Sequence, residues 1–147
     1  MPYLSTKTFC HAAGLSCCFR QWRATHSHCQ YLHGYAIEVK LSFMANQLDD
    51  KNWVQDFGGF AQLKEFLKFN FDHKTVVAED DPQLGLFQAM ASQGLCDLVI
   101  LENVGCEAFA KIIFEKAVEL YQTDRVKVNC CEVKEHGANS AIYYECH

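Results

Sequence analysis

The feature that most constrains the fold is a run of strict alternation over residues 35–44. A period of two residues places apolar side chains on one face of a β-strand and polar ones on the other. The sequence therefore predicts a half-buried antiparallel strand whose apolar face must be covered by other elements. The alternating residues are Ile37, Val39, Leu41 and Phe43 on one face, and Glu38, Lys40 and Ser42 on the other.

Two amphipathic helices are predicted to supply that cover, because apolar residues recur at spacings of three and four. The first contains Phe60, Leu63, Phe66 and Leu67, and the second spans residues 107–121. Further extended or apolar segments are expected at residues 5–10, 98–101, 125–133 and 140–144, with a loop and short helix at 80–94. This order predicts one α+β domain over residues 1–147, with an antiparallel sheet and helices on one face.

Composition excludes several classes of protein. A formal net charge of −5 argues against a general nucleic-acid binder. No apolar run approaches the roughly 20 residues that cross a bilayer, and residues 1–7 lack a secretory signal, so a cytoplasmic location is expected. The nine cysteines are odd in number and contain no C-x-x-C pair, which favours reduced thiols over disulfides or a four-cysteine zinc site.

The densest group of metal-ligating residue types lies in residues 11–33, which hold four of the seven histidines. Neutral imidazole is a good zinc ligand, and a catalytic zinc uses three protein ligands with one position open. If a strand begins at His33, then His33 and Tyr35 share a face, and His11 ends the preceding strand. The alternative interpretation is a polar loop with surface histidines, which is favoured for His26 taken alone.

Two other positions are candidates for acid–base or binding roles. Asp72 precedes His73, and a neighbouring carboxylate can fix the tautomer of an imidazole and raise its basicity. Glu135 stands just before the predicted turn at His136 and Gly137. Taken separately, the first pair can be a chance feature of a helix end, and the glutamate can be simply solvated.

Five segments, in order along the chain, resemble motifs of the 6-pyruvoyl-tetrahydropterin synthase/6-carboxytetrahydropterin synthase family. Each segment alone is a weak signal, but five in the same order from residue 9 to residue 143 are a specific one. The segments are Cys29-x-x-Leu32-His33-Gly34, Trp53-Val54-Gln55-Asp56-Phe57, Phe71-Asp72-His73, Leu101-Glu102-Asn103 with Glu107, and Val133-Lys134-Glu135 with Tyr143.

The resemblance implies a T-fold subunit of order ββααββ that assembles into a homo-oligomer, typically a hexamer of two trimers, with sites between subunits. It implies that Cys29 is the general base and that Asp72 and His73 are its relay partners. Glu135 would anchor a pterin by accepting hydrogen bonds from its N–H groups, with Glu107 assisting. A zinc ion would bind the side-chain hydroxyls of the substrate and lower their pKa.

The chain departs from the family pattern at two of the three expected zinc ligands. Ala13 and Tyr35 stand where the family has histidines, and only His33 stays in register. We therefore predict a rearranged zinc triad of His11, His28 and His33, with His26 or Tyr35 as substitutes. The alternative is a subunit that has lost zinc and kept its pterin pocket.

The function expected from the resemblance is zinc-dependent conversion of 7,8-dihydroneopterin triphosphate to 6-carboxy-5,6,7,8-tetrahydropterin, a carbon–oxygen and carbon–carbon lyase reaction of the queuosine pathway, with loss of triphosphate. One alternative is the 6-pyruvoyl-tetrahydropterin product, formed with the same residues. Others are a non-catalytic pterin-binding protein and, last in rank, a protein whose histidine-rich loop merely sequesters zinc. No nucleic-acid or membrane partner is expected.

Overall fold

The alternating segment forms two strands instead of one in the computed structural model, which describes residues 1–146. The chain crosses between two sheets at Ile37, whose N–H donates to the carbonyl of Leu15 over 3.1 Å. The strands are β1 Tyr3–Phe9, β2 Ser16–Phe19, β3 His33–Ala36, β4 Glu38–Ala45, β5 Lys74–Ala78, β6 Leu98–Leu101, β7 Lys127–His136 and β8 Asn139–Tyr144. The helices are α1 Ala61–Phe71, α2 Leu84–Ser92 and α3 Cys106–Tyr121, with two 3-10 turns at His11–Ala13 and His28–Gln30.

The first sheet is antiparallel, in the order β1-β4-β7-β8. Val39, Leu41 and Phe43 of β4 are completely buried, as the alternation predicts. Helix α3 packs on this sheet at β7 and β8, and Leu63 of α1 and Phe109 of α3 are completely buried in the same core. The α+β class and the covering of a sheet face by helices are therefore confirmed.

The second sheet, in the order β3-β2-β5-β6, was not predicted. Strands β2 and β3 pair antiparallel, whereas β5 runs parallel to both β2 and β6. The sequence predicted no strand between residues 10 and 35, where the structure has β2 and the start of β3. The ββααββ order is correspondingly too simple, because β2, β3, β5 and β6 add a mixed sheet to the antiparallel one.

The predicted helices correspond to observed ones with small shifts of their ends. The second predicted helix, at residues 107–121, begins one residue earlier as α3, and the short helix expected within residues 80–94 is α2. Helix α3 has 16 residues, and none of the helices described is long and apolar enough to cross a membrane.

Candidate functional site

A cavity of about 170 Å³ gathers several of the predicted residues at the meeting point of both sheets and α3. Its polar lining includes the thiol of Cys29 and the carboxylates of Glu107 and Glu135. Ligand pockets commonly reach about 300–1,000 Å³, so this cavity alone encloses only part of a ligand of that size. The remaining lining residues are Phe19, Gln21, His33, Tyr35, Gly105 and Cys106.

Glu135 reaches the cavity from the end of strand β7, one residue before its last residue. The β7–β8 register shifts between Lys134 and His136, so Glu135 is the extra residue of a bulge. A bulge bends a strand and redirects a side chain, which explains how a glutamate near a strand end reaches the cavity. Glu107 comes from the first turn of α3. The two carboxylates therefore line the cavity from different elements.

Cys29 is exposed and lies in the 3-10 turn His28–Gln30. Its backbone N–H donates to Ser27 Oγ over 3.1 Å, and its carbonyl accepts from the N–H of Gln21 over 2.9 Å. Arg20 donates from Nη1 to the carbonyl of Gln30 over 3.3 Å, which ties the turn to β2. The thiol is thus carried on a turn that is fixed at both ends.

Arg20 is itself held by Asp81, a residue of the segment that leads into α2. Its Nε and Nη2 donate to the two carboxylate oxygens over 2.8 and 2.7 Å, and the Asp81 side chain is only 1% exposed. The guanidinium lowers the pKa of Asp81, and the N–H of Gln83 assists by donating to the same carboxylate. This ion pair joins the 80–94 segment to the turn that carries Cys29.

His33 and Tyr35 project from β3 on the same face, as predicted. His33 Nδ1 lies 2.6 Å from the carbonyl oxygen of Tyr31, and His33 Nε2 lies 3.0 Å from Tyr35 Oη. Burial raises the pKa of Tyr35, and the negative charge of Glu135 raises it further. Tyr35 is therefore a neutral phenol next to the carboxylate.

Cys106 forms part of the floor of the cavity and differs from Cys29 in its surroundings. Burial raises the pKa of Cys106 to about 12, with the charges of Glu135 and Glu107 acting in the same direction. A thiol with so high a pKa stays protonated and unreactive at neutral pH. Of the two cysteines in the lining, only the exposed Cys29 is accessible for acid–base chemistry.

Asp72 and His73 are bonded to each other but do not line this cavity. Asp72 Oδ1 lies 2.5 Å from His73 Nδ1, and the His73 side chain is 85% exposed. His73 occupies a left-handed backbone conformation with φ 57°, between α1 and β5. The pair is formed as predicted, and it faces solvent in the single chain.

The three histidines predicted as a zinc triad are not brought together in the single chain. His11 Nδ1 bonds to the carbonyl of Ala36, and only His33 of the three lines the cavity. Among residues 1–146, no three His, Cys, Asp or Glu side chains form a group that could hold a metal ion. The donor set thus falls short of the three protein ligands of a catalytic zinc.

Larger cavities exist elsewhere, but their linings are chemically poorer. One of about 450 Å³ lies beside β1 and the start of α1, and its lining holds Lys7, Lys64 and Cys10 without a carboxylate or a histidine. The cavity at Cys29 is smaller, yet it combines a thiol, two carboxylates, an imidazole and a phenol. The functional groups of its lining therefore make the smaller cavity the candidate site.

The sequence did not indicate Gln21, Gly105 or Asp81 as residues that shape this site. Gln21 Nε2 donates to the carbonyl of Val104 over 2.7 Å and thereby joins the Cys29 side of the cavity to the start of α3. Gly105 has φ 112°, a backbone conformation that is open mainly to glycine. The presence of a glycine at this position was therefore the local signal that the sequence offered. Gln21 and Asp81 act through partners distant in sequence and gave no such signal.

Two curated proteins share a segment of sequence with this chain. A 58-residue segment is 36% identical to 6-carboxy-5,6,7,8-tetrahydropterin synthase of Rickettsia typhi, covering 39% of this chain and 42% of that protein. The corresponding Rickettsia bellii enzyme is 34% identical over 58 residues, with the same coverage. The matched segment thus spans less than half the length of these curated relatives.

Solved structures extend the likeness to the whole fold. An uncharacterized protein of Wolinella succinogenes, WS1659, superposes with a TM-score of 0.83 at 20% identity, over 98% of both chains. The Plasmodium falciparum 6-pyruvoyl tetrahydropterin synthase superposes with a TM-score of 0.69 at 13% identity, again over 98% of both chains. These likenesses confirm the predicted T-fold. The family profile described as 6-pyruvoyl tetrahydropterin synthase matches residues 8–146, and with nearly the whole chain matched, this protein belongs to the 6-pyruvoyl tetrahydropterin synthase family.

Proposed function

We propose that the chain is a lyase that converts 7,8-dihydroneopterin triphosphate to 6-carboxy-5,6,7,8-tetrahydropterin, with loss of triphosphate and of the two terminal carbons of the side chain. The observation that carries the proposal is the convergence of Cys29, from the 3-10 turn His28–Gln30, and Glu135, from strand β7, on one cavity. The names of the Rickettsia relatives support this product over the 6-pyruvoyl alternative.

Glu135 is proposed to hold the pterin ring. A carboxylate that accepts two parallel N–H bonds gives a strong and directional contact, and the 2-amino group and adjacent ring N–H of a pterin offer such a pair. Glu107, which also lines the cavity, can accept a further hydrogen bond. The apolar ring of Phe19 also lines the cavity and suits a flat heterocycle.

Cys29 is proposed to remove a proton from the side chain of the bound substrate. The thiolate is the basic form of cysteine, and an exposed thiol at the cavity rim can reach a side chain that extends outward from the ring. Proton removal next to the triphosphate-bearing carbon chain is the step that allows the triphosphate to leave.

Asp72 and His73 are proposed to serve a cavity on a neighbouring copy of the chain. They are bonded to each other, with His73 exposed and Asp72 half-buried, and both lie outside the cavity of their own chain. A homo-oligomer, such as the expected homohexamer, would place this pair at the cavity of another subunit and complete its open side. In that arrangement, Asp72 fixes the His73 tautomer and His73 exchanges protons with the substrate.

The test is incubation of the purified protein with 7,8-dihydroneopterin triphosphate, followed by mass spectrometry of the pterin product and assay of released triphosphate. We expect the mass of 6-carboxytetrahydropterin, lost in Cys29→Ala and retained in Cys10→Ala, an exposed cysteine outside the cavity. The mass of 6-pyruvoyl-tetrahydropterin would assign the other branch. Binding without turnover in the wild type would contradict the lyase proposal and leave a pterin-binding protein.

A further inference from the structure

Both ring nitrogens of His33 are already engaged by protein oxygens. A carbonyl oxygen only accepts, so the Nδ1 that lies 2.6 Å from the Tyr31 carbonyl carries the ring proton. Nε2 then holds a lone pair and accepts the hydroxyl proton of Tyr35 across 3.0 Å. His33 is thereby fixed in one tautomer, and the lone pair of its Nε2 accepts a hydrogen bond from Tyr35.

His33 is oriented like a metal-binding histidine, but the Nε2 lone pair that would bind a metal already accepts the hydrogen bond from Tyr35. A carbonyl on the opposite N–H is the usual device that orients an imidazole toward a metal. Here the phenol of Tyr35 lies where a metal would approach Nε2, and zinc would have to come within about 2.1 Å of that nitrogen. Zinc and the His33–Tyr35 hydrogen bond therefore exclude each other.

The rest of the chain does not supply the missing ligands. By the family resemblance, the other two ligand positions are Ala13 and Tyr35, neither of which offers an imidazole. His11 bonds to the Ala36 carbonyl, and neither it nor His28 lines the cavity. Within the described chain the lining offers one imidazole and no assembled three-ligand group.

We propose that the Tyr35 hydroxyl, fixed by His33, replaces a metal ion in this pocket and binds the side-chain hydroxyl groups of the ligand directly. This inference rests on the proposed pterin site and adds the group that holds the side chain. Because the phenol proton is donated to His33, the lone pairs of the phenol oxygen are free to accept hydrogen bonds from ligand hydroxyls. The pocket then needs no metal to hold a vicinal diol.

The acceptors of the cavity are consistent with this assignment. The carboxylates of Glu107 and Glu135 accept, and the phenol oxygen adds a third acceptor from β3. Such a lining selects a ligand rich in N–H and O–H donors, which describes a pterin ring that carries a polyol. A dihydropterin without the diol would keep its ring contacts and lose only those to Tyr35.

The first measurement is the zinc content of protein purified without chelators, by inductively coupled plasma mass spectrometry, for wild type and His33→Ala. We expect both to contain far less than one zinc per chain. Added chelator should leave the binding of 7,8-dihydroneopterin to the wild type unchanged. Stoichiometric zinc that is lost in His33→Ala, or binding abolished by chelator, would overturn the inference.

The second measurement compares the binding of 7,8-dihydroneopterin with that of 7,8-dihydropterin, which lacks the diol, by titration calorimetry. Tyr35→Phe keeps the ring that packs 6.0 Å from Phe19. We expect it to weaken dihydroneopterin binding about tenfold, as the loss of one hydrogen bond implies, and to leave dihydropterin binding unchanged. The control, Tyr144→Phe, removes an exposed hydroxyl from β8 and should change neither.

Equal loss for both pterins, or no loss for either, would overturn the assignment of Tyr35. If the wild type binds neither pterin, the proposed function itself fails, and the role of Tyr35 fails with it. The zinc measurement separates the two cases, because it reports the ligand set of His33 without requiring any pterin to bind.

Discussion

Arg20 and Asp81 are 61 positions apart in sequence and form a two-point ion pair beneath the turn that carries Cys29. The Arg20 side chain is 22% exposed and that of Asp81 is 1% exposed, so the pair is largely removed from water. Removing one partner of such a pair leaves the other charge without compensation, which costs far more than the loss of an exposed pair.

Asp81→Ala is therefore expected to lower the free energy of unfolding by about 3 kcal/mol, toward the low end of the usual range because Arg20 keeps some solvent access. Urea denaturation followed by circular dichroism measures this change. The matched control is Asp80→Ala, which removes an exposed ion pair with Arg23 and should leave stability nearly unchanged. Equal losses in the two variants would contradict the structural role assigned to Asp81.

The Arg20–Asp81 pair also predicts how stability depends on acid. Arg20 lowers the pKa of Asp81 below its ordinary 3.8 in the folded chain, so the unfolded chain takes up a proton at higher pH than the folded chain does. The contribution of ionised Asp81 to the free energy of unfolding is complete above about pH 5 and is lost as pH falls through the pKa of Asp81 in the folded chain. The difference in unfolding free energy between wild type and Asp81→Asn should thus be constant from pH 7 to 5 and shrink below about pH 4. A difference that stays constant down to pH 3 would contradict this linkage.

Gly105 is expected to be irreplaceable because two constraints meet there. Its φ of 112° disfavours any other residue, and an added Cβ would collide with the Gln21 amide that forms one wall of the cavity. Gly105→Ala should cost about 1–3 kcal/mol of stability and weaken pterin binding. Gly85→Ala in α2, where a Cβ meets nothing within 4 Å, should instead stabilise by about 0.5 kcal/mol. Thermal denaturation of the pair measures both effects, and a harmless Gly105→Ala would contradict the geometry.

The cysteines should separate into two reactivity classes. Cys10, Cys29 and Cys146 are exposed, whereas burial raises the pKa of Cys17 and Cys106 to about 12. Iodoacetamide at neutral pH should modify the exposed group within minutes and spare the buried one, as peptide mass spectrometry would show. Bound dihydroneopterin should protect Cys29 and leave Cys10 reactive. Protection of neither thiol, or of both equally, would contradict the placement of the ligand beside Cys29.

The elements with a long periodic signal were predicted from sequence alone, and the four-residue β6 was predicted as an apolar run. The alternation around Val39 and the apolar face of α3 each extend over enough residues to define a period, and both were placed within a few residues. Strand β2, Ser16–Phe19, is too short for a period. Strand β5 is buried on both faces, and a short apolar run of that kind resembles a helix segment.

In the candidate site, the residues within short sequence motifs were predicted, whereas those that act through partners distant in sequence were not. The motif segments predicted Cys29, His33, Glu107 and Glu135, and the structure places all four at one cavity. Arg20 was not predicted, because its partner Asp81 lies too far along the chain for a pattern to connect them. The zinc ligand His11 was predicted on a strand face and His28 beside Cys29, but both histidines lie in 3-10 turns, which no pattern in the sequence indicated.

The binding of a dihydropterin by Glu135 tests the central claim most directly, because every proposed step begins with that contact. Titration calorimetry with 7,8-dihydroneopterin should give a Kd that rises about 10- to 100-fold in Glu135→Gln, as the loss of charge-assisted hydrogen bonds implies. Glu132→Gln, three residues earlier on β7 where the side chain accepts from Ser140, should bind like the wild type. Unchanged affinity in Glu135→Gln would contradict the claim that this cavity is a pterin site.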